Sequence, residues 1–237
     1  MKICDLHTHV LPGVDDGAGS METALEMIEN AAASDVTCLV ATPHWYPETG
    51  DRRELFSQTF RQLKQAARHI PVELYLGAEV GMGNGVPACL EQGHGPTING
   101  SRYLLTEFPG DLPLSRYEEL LARLLAAGYV PLIAHPERYA AVCAQPMAVE
   151  RWLDMGCHLQ ITGGSLRGTY GKTVCRTAEL LLQQDFVACV ASDAHGVQHR
   201  SNFLLDVYDH LAVNYSREYA QVLMYENPMR ICRDESL

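Results

Sequence analysis

The chain has 237 residues, 47% of them hydrophobic, and a formal net charge of −11. That is room for one large α/β domain or two small ones, and the acidic balance argues against general nucleic-acid binding, which needs a basic face. No apolar run approaches the roughly 18 to 20 residues of a membrane helix, and Met1-Lys2 leads straight into a strand-like run with no apolar leader, so a cytoplasmic protein without membrane insertion is expected. That run ends in Asp5-Leu6-His7-Thr8-His9, where strand alternation points His7 and His9 the same way. Two imidazoles on one face suit a divalent metal, although such a pair also occurs on ordinary surfaces.

A turn-rich loop with adjacent carboxylates, Asp15 and Asp16, comes next, and Ser20 caps a helix reaching about Ser34. Val36 to Thr42 reads as a strand that stops at Pro43-His44, and a helix is expected from about Asp51 to His69. Val72 to Leu76 is a third strand, ending at Gly77-Ala78-Glu79, and the Gly-rich stretch after it holds a short helix around Pro87 to Glu91. Arg102 to Thr106 is strand four, closing at Glu107. Ser115-Arg116-Tyr117-Glu118 has capping-box spacing and opens a helix to about Ala127. Strand five, Val130 to Ala134, leads into His135-Pro136-Glu137-Arg138. A helix over 146–155, a strand over 158–162 and a helix over 172–184 follow. Strand seven, 186–191, ends at Ser192-Asp193-Ala194-His195, and two helices, over 201–213 and 217–224, complete the chain. The eight cysteines form no Cys-x-x-Cys pair and read as reduced core thiols rather than disulfides or a zinc finger.

Seven strands alternating with helices imply a mainly parallel sheet covered on both faces. His7, His9, His44, Glu79, Glu107, His135, Asp193 and His195 all fall where a strand ends and a loop begins. In a closed β/α barrel those ends meet at one rim, where active sites lie, whereas an open sheet spreads them along an edge. A barrel is the better fit. With Asp16 the rim offers five histidines and four carboxylates, more than the four to six ligands one divalent ion takes, so two or three ions are expected. Mixed imidazole and carboxylate ligation suits manganese, iron or zinc better than calcium. Arg138 and Arg200 follow the last ligands closely. Their guanidinium groups beside a cationic centre suit an arriving phosphate, which they match bidentately.

Asp-Leu-His-Thr-His, Thr-Pro-His, His-Pro-Glu-Arg and Ser-Asp-Ala-His resemble the motifs of the PHP (polymerase and histidinol phosphatase) metallophosphoesterases. Leu-Pro-Gly-Val-Asp-Asp-Gly, Glu-Phe-Pro and Gly-Ser-Leu-x-Gly are similar to the manganese-dependent tyrosine phosphatases of bacterial capsule and exopolysaccharide clusters, the CpsB/YwqE type. The resemblance runs in order from Asp5 to Arg200. It implies one PHP domain over 1–237, a distorted TIM-like barrel of seven β/α units, and three divalent metals, manganese before iron, zinc or magnesium. It also implies the ligand sets: His7, His9, Glu79 and Asp193 for the first metal, Glu79 bridging to a second with Glu107 and His135, and Asp16, His44 and His195 for the third. Arg138 and Arg200 match phosphate-binding arginines, with Asp193 and His135 essential to turnover. The implied substrate is a phosphotyrosine protein, such as a tyrosine kinase of polysaccharide export. Trp45, Gly196 and Arg167 depart from the family pattern.

Trp45 and Tyr46 are candidates for an aromatic substrate wall, with packing the blander alternative. Asp5, two residues before His7, is placed to orient a ligand from behind. The rivals that share the ligands are a small-molecule phosphatase such as a histidinol-phosphate phosphatase, and a PHP nuclease, which the acidic balance disfavours. An amidohydrolase with a bridging modified lysine fits poorly, because Lys2, Lys64 and Lys172 lie at no strand end. A metal-binding regulatory module without turnover is the non-enzymatic alternative.

Overall fold

Short apolar, β-branched runs closed by proline, glycine or a charged residue form the strands, and amphipathic segments between them form the helices. The computed structural model describes residues 1–46, 50–83, 86–90 and 95–237. In chain order the first half holds β1 (Ile3–Thr8), α1 (Met21–Ala32), β2 (Val36–Ala41), β3 (His44–Trp45), α2 (Arg53–Ala66), β4 (Glu73–Leu76), β5 (Glu79–Gly81), α3 (Val86–Leu90) and β6 (Tyr103–Glu107). Then come α4 (Leu114–Ala126), β7 (Val130–Ala134), α5 (Ala140–Ala144), α6 (Glu150–Asp154), β8 (His158–Thr162), α7 (Gly163–Leu166) and α8 (Lys172–Gln183). The chain finishes with β9 (Val187–Ala191), α9 (Leu205–Asn214), α10 (Arg217–Gln221) and α11 (Asn227–Cys232).

All strand pairs are parallel, in a sheet ordered β1-β2-β4 and a second ordered β3-β5-β6-β7-β8-β9. The two sheets are parts of one ring. β2 and β3 are a single strand path broken at Thr42-Pro43, where proline supplies no N–H, and β4 and β5 are another broken at Gly77-Ala78. Bonds from Gly77 N to Ala41 O (2.9 Å) and from Glu79 N to Pro43 O (3.0 Å) carry the ladder across both breaks. The ring closes beyond β9, where Asp193 N donates to His7 O (2.9 Å) and His9 N to Ala194 O (2.8 Å). Seven strand paths therefore each have hydrogen-bonded neighbours on both sides, in a distorted barrel of seven β/α units.

Apolar residues alternate between two layers. Outside, Leu39, Leu104, Ile133, Ile161 and Val190 pack under helix residues such as Ile28, Leu63, Leu124, Trp152 and Leu181. Inside, Leu6, Val40, Leu105, Leu132 and Ala191 pack against Ile98 and against Met229 and Ile231 of α11, which plugs the N-terminal end of the barrel. Each fully buried aliphatic side chain contributes about 1.5–3 kcal/mol.

Several local expectations need correction. Ser20 does cap α1, accepting from Thr23 N (3.2 Å), but α4 starts at Leu114 after Pro113, and no side chain caps it, so Ser115 is not the cap. The helix expected over 146–155 is a 3-10 turn, Pro146–Val149, running into α6. The final helix continues through a π turn, Val222–Glu226, into α11, and Pro228, which has no N–H to donate to the preceding turn, lies just after that irregularity. The short helix near Pro87 is α3, and the expected end at Glu91 lies outside the described residues.

Candidate metal centre

The histidines of β1 reach the barrel axis through an irregularity. Pairing slips by one residue between Asp5, opposite Leu39, and Thr8, opposite Ala41. Such a bulge re-aims the chain: Leu6 belongs to the inner apolar layer, yet the adjacent His7 also turns inward, to Gln160 of β8. Gln160 Nε2 donates to Ile161 O (2.7 Å), which leaves its Oε1 to accept from His7 Nδ1 (2.9 Å). His9 Nδ1 donates to Asp15 Oδ2 (2.7 Å) in the same manner. With both Nδ1 atoms used as donors, the neutral rings present Nε2 lone pairs inward.

Those two Nε2 atoms lie 3.2 Å apart. Both face Glu79 Oε2 (3.2 and 3.3 Å) and Asp193 Oδ1 (3.4 and 3.5 Å). Asp193 Oδ1 and His135 Nδ1 are buried and have no hydrogen-bond partner among the described residues. Lone pairs facing lone pairs in a dry site need protons or a cation between them, and this donor set fits divalent metal. Around it, His135 Nε2 meets Glu79 Oε1 at 2.9 Å and Glu107 Oε1 at 3.7 Å. His44 places Nδ1 3.1 Å from Glu79 Oε2 and Nε2 3.5 Å from Asp16 Oδ1, while His195 Nε2 is 3.4 Å from that same Asp16 oxygen. Eight of the nine expected ligands fall in three overlapping groups: His7, His9, Glu79 and Asp193; His44, Glu79 and Glu107; and His9, Asp16, His44 and His195. The ninth, His135, belongs to none of these groups and meets them through Glu79 and Glu107.

Electrostatics couple the set. Burial alone would push Glu79 and Asp193 up, but the histidines, His7 foremost, hold both well below the usual carboxylate range. Burial would likewise push His7 and His9 down. For His7 the Glu79 and Asp193 charges outweigh it, and for His9 the hydrogen bond to Asp15, followed by the nearby Asp193 and Glu79 carboxylates, raises the ring well above its ordinary value. His195 goes the other way, to about 4, through burial and the neighbouring His9. Glu107 is raised by burial and by repulsion from Glu79.

The arginines close the arrangement on one side. Arg138 and Arg200 both donate to Asp193 Oδ2, at 2.8 and 2.7 Å. Arg138 also donates to Thr162 Oγ1 (2.8 Å), and its guanidinium lies over the Tyr170 ring, 3.8 Å from the centroid. Buried Glu137 accepts from Thr162 N (3.0 Å) and Ser165 Oγ (2.6 Å), fixing the strand end that carries the Arg138 contact. His135, Asp193 and Arg200 have φ of 36°, 55° and 51°. Non-glycine residues rarely adopt this region, and such strain concentrates at functional sites.

Asp15, Gln160 and Tyr170 were missed as site residues. Asp15 was visible beside Asp16, but nothing local says which carboxylate turns inward behind His9. Asp5 works through the backbone: its carboxylate accepts from Ser192 N (2.9 Å) and Ser192 Oγ (2.6 Å), anchoring the turn that carries Asp193. Burial pushes Asp5 up to about 6. Trp45 is buried in the outer core and is no substrate wall, whereas Tyr46 stands at the mouth, its ring stacked on His44 at 5.5 Å. A cleft of about 590 Å³ lined by Asp15, Asp16, His44, Tyr46 and Arg52 opens beside it. Arg167 is bound to Asp206 and to the Phe203 carbonyl, tying the α7 turn to α9. Nothing in the structure explains Gly196.

A family model described as capsular polysaccharide synthesis, CpsB/CapC, matches residues 3–233. The chain is 31% identical to the tyrosine-protein phosphatase YwqE of Bacillus subtilis (strain 168), over 98% of this chain and 92% of that one. It is also 31% identical to the tyrosine-protein phosphatase CpsB of Streptococcus pneumoniae, over 98% of each. A solved structure from work on YwqE and CpsB, described as unique metal-dependent tyrosine phosphatases, superposes with a TM-score of 0.88 at 30% identity, covering 99% of this chain and 96% of that one. The chain belongs to the CpsB/CapC family of capsular polysaccharide synthesis.

Proposed function

We propose that residues 1–237 work as one metal-dependent phosphomonoesterase unit that removes phosphate from tyrosine in a protein, a tyrosine kinase of polysaccharide export being the partner that fits best. The observation that carries this is the convergence of Arg138 and Arg200 on one oxygen of Asp193, beside a donor set built for cations. His7, His9, Glu79 and Asp193 would hold one ion, Glu79, Glu107 and His135 a second, and Asp16, His44 and His195 a third, with manganese first and iron, zinc or magnesium tolerated. Bound divalent cations supply a water pKa lowered toward about 7 and charge neutralisation at the phosphoryl group.

The protein's own groups do the rest. Arg138 and Arg200 turn their N–H forks from Asp193 to the phosphoryl oxygens, where hydrogen bonds to a charged group contribute about 1.5–3 kcal/mol each. Tyr170 and Thr162 keep the Arg138 fork aimed, so little rotamer freedom is lost on binding. A phenolate leaving group, of pKa about 10, needs less protonation than an alkoxide. No thiol nucleophile is required, and none of the eight cysteines is followed six residues later by arginine.

The test is one rate comparison with added manganese across a phosphotyrosine peptide, a phosphoserine peptide and histidinol phosphate. Preference for the phosphotyrosine peptide is expected. A clear preference for histidinol phosphate would replace this reading with a small-molecule phosphatase, and bound metal with no turnover on any of the three would leave a regulatory module.

A further inference from the structure

Away from the histidine centre, three thiols from distant parts of the chain meet inside the barrel. Cys4 lies near the start of β1 and Cys38 opposite it near the start of β2. Cys232 ends α11, the helix that plugs this end of the barrel. The three sulfurs lie within 4.8 Å of one another, and Cys4 Sγ is 2.8 Å from Cys38 Sγ. All three residues are buried, at 0%, 2% and 3% exposure. We propose that Cys4, Cys38 and Cys232 form a second cation site, three thiolates for a thiophilic d10 ion such as zinc, at the end of the barrel opposite the histidine and carboxylate centre.

The chemistry favours a soft ion. Thiolates select zinc, cadmium or copper(I), whereas manganese and magnesium prefer the oxygen and imidazole donors at the other end. The two ends thus sort cations by softness. One thiolate is already favoured without an ion: the neighbouring Cys38 and Cys4 thiols pull Cys232 down to about 5, against the effect of burial. Burial and sulfur neighbours raise Cys4 and Cys38, so their two protons leave to solvent only when a cation takes the sulfur lone pairs. Glu73, opposite Cys38 in the β2–β4 ladder, adds a negative charge whose field reaches Cys38 and Cys232 and favours a cation there.

A cation there would do structural work. It would join the first two strands to the last helix, adding to the core packing of Met229 and Ile231 and to the hydrogen bonds that seat the C-terminal segment. Asn99 Nδ2 donates to Cys232 O (2.9 Å), Tyr103 Oη to Glu235 O (2.8 Å) and Arg102 N to Asp234 Oδ1 (2.8 Å). Because ligands come from both chain termini, binding would be coupled to seating of that segment.

The experiment uses the full chain, reduced and loaded with manganese, titrated with cadmium. A thiolate-to-metal charge-transfer absorption in the near ultraviolet is expected, saturating at one equivalent; histidine and carboxylate ligands give no such band. Cys232→Ser and Cys38→Ser should weaken apparent cadmium affinity at least tenfold, while Cys89→Ser, an exposed cysteine, and Asp193→Asn should leave the band unchanged. On the wild-type chain, cadmium should protect Cys4, Cys38 and Cys232 from alkylation as mapped by mass spectrometry, a readout that needs no variant to fold. Absence of the band, its persistence at wild-type affinity in Cys232→Ser, or a Cys4–Cys38 disulfide in the reduced preparation would each overturn the proposal.

Discussion

Asp15→Asn is the sharpest probe of how the centre is assembled. Asp15 touches no proposed cation; it stands behind His9. Its Oδ2 accepts from His9 Nδ1 (2.7 Å) and from His44 N (3.0 Å), and its Oδ1 accepts from Gly17 N (3.0 Å). Every one of these partners is a donor. Asparagine can satisfy only one side, so in either orientation its NH₂ faces an N–H. The substitution leaves the side-chain volume nearly unchanged, which isolates the loss to hydrogen bonding and to the charge that sets the His9 tautomer. Loss of a partner behind a metal-binding histidine weakens metal affinity by about 10–100-fold, or about 1.4–2.8 kcal/mol at about 1.4 kcal/mol per decade. The assay is manganese dependence of phosphotyrosine-peptide hydrolysis, with calorimetric manganese titration beside it. The half-saturating manganese concentration should rise by that factor while circular dichroism and Tm stay near wild type. An unchanged manganese dependence in both Asp15→Asn and Asp15→Ala would refute the orienting role and return Asp15 to the status of a loop residue.

Three further outcomes follow from the same geometry. Arg138→Lys and Arg200→Lys keep the charge but lose the fork and should each lower kcat/KM for a phosphotyrosine peptide by about 10–100-fold, one charge-assisted bond of about 1.5–3 kcal/mol; wild-type kinetics in both would remove them from phosphate binding. Trp45→Ala should cost about 3–5 kcal/mol of stability in chemical denaturation without altering substrate preference, as a core aromatic does, while Tyr46→Ala should shift KM with little loss of stability. Burial opposes, but Arg167 holds the Asp206 carboxyl below its usual value; the pair's contribution is therefore present at neutral pH and fades as pH falls through the carboxylate range. With Asp206 half exposed it is worth about 0.5 kcal/mol, so Arg167→Ala should lower stability slightly at pH 7, by an amount that shrinks as the pH falls through the lowered Asp206 range.

Much of this arrangement is legible in the chain because each ligand is marked by its place. A histidine or carboxylate at the end of an apolar run has few alternatives once seven runs alternate with helices, and His7, His44, Glu79, Glu107, His135 and Asp193 are all read correctly as one rim. Lower-order features were less legible. The breaks that divide two strand paths at Thr42-Pro43 and Gly77-Ala78 leave two- and three-residue strands, His44–Trp45 and Glu79–Gly81, too short for any periodicity. Ser115 has capping-box spacing, yet α4 begins one residue earlier, so tertiary placement of Pro113-Leu114 overrides the local signal.

The sequence by itself determined the parallel α/β barrel and the gathering of His7, His9, His44, Glu79, Glu107, His135, Asp193 and His195 at one end of it, because these follow from strand alternation and from which residue closes each strand. Only the tertiary structure decided which groups stand behind them. Gln160 behind His7, Asp15 behind His9, Tyr170 under Arg138 and the meeting of Cys4, Cys38 and Cys232 join residues 6 to 228 positions apart, counted from their numbers. Such contacts depend on register, on the β1 bulge and on the seating of the last helix. None of those leaves a local pattern, because a hydrogen bond between distant strands is set by how the whole ring closes.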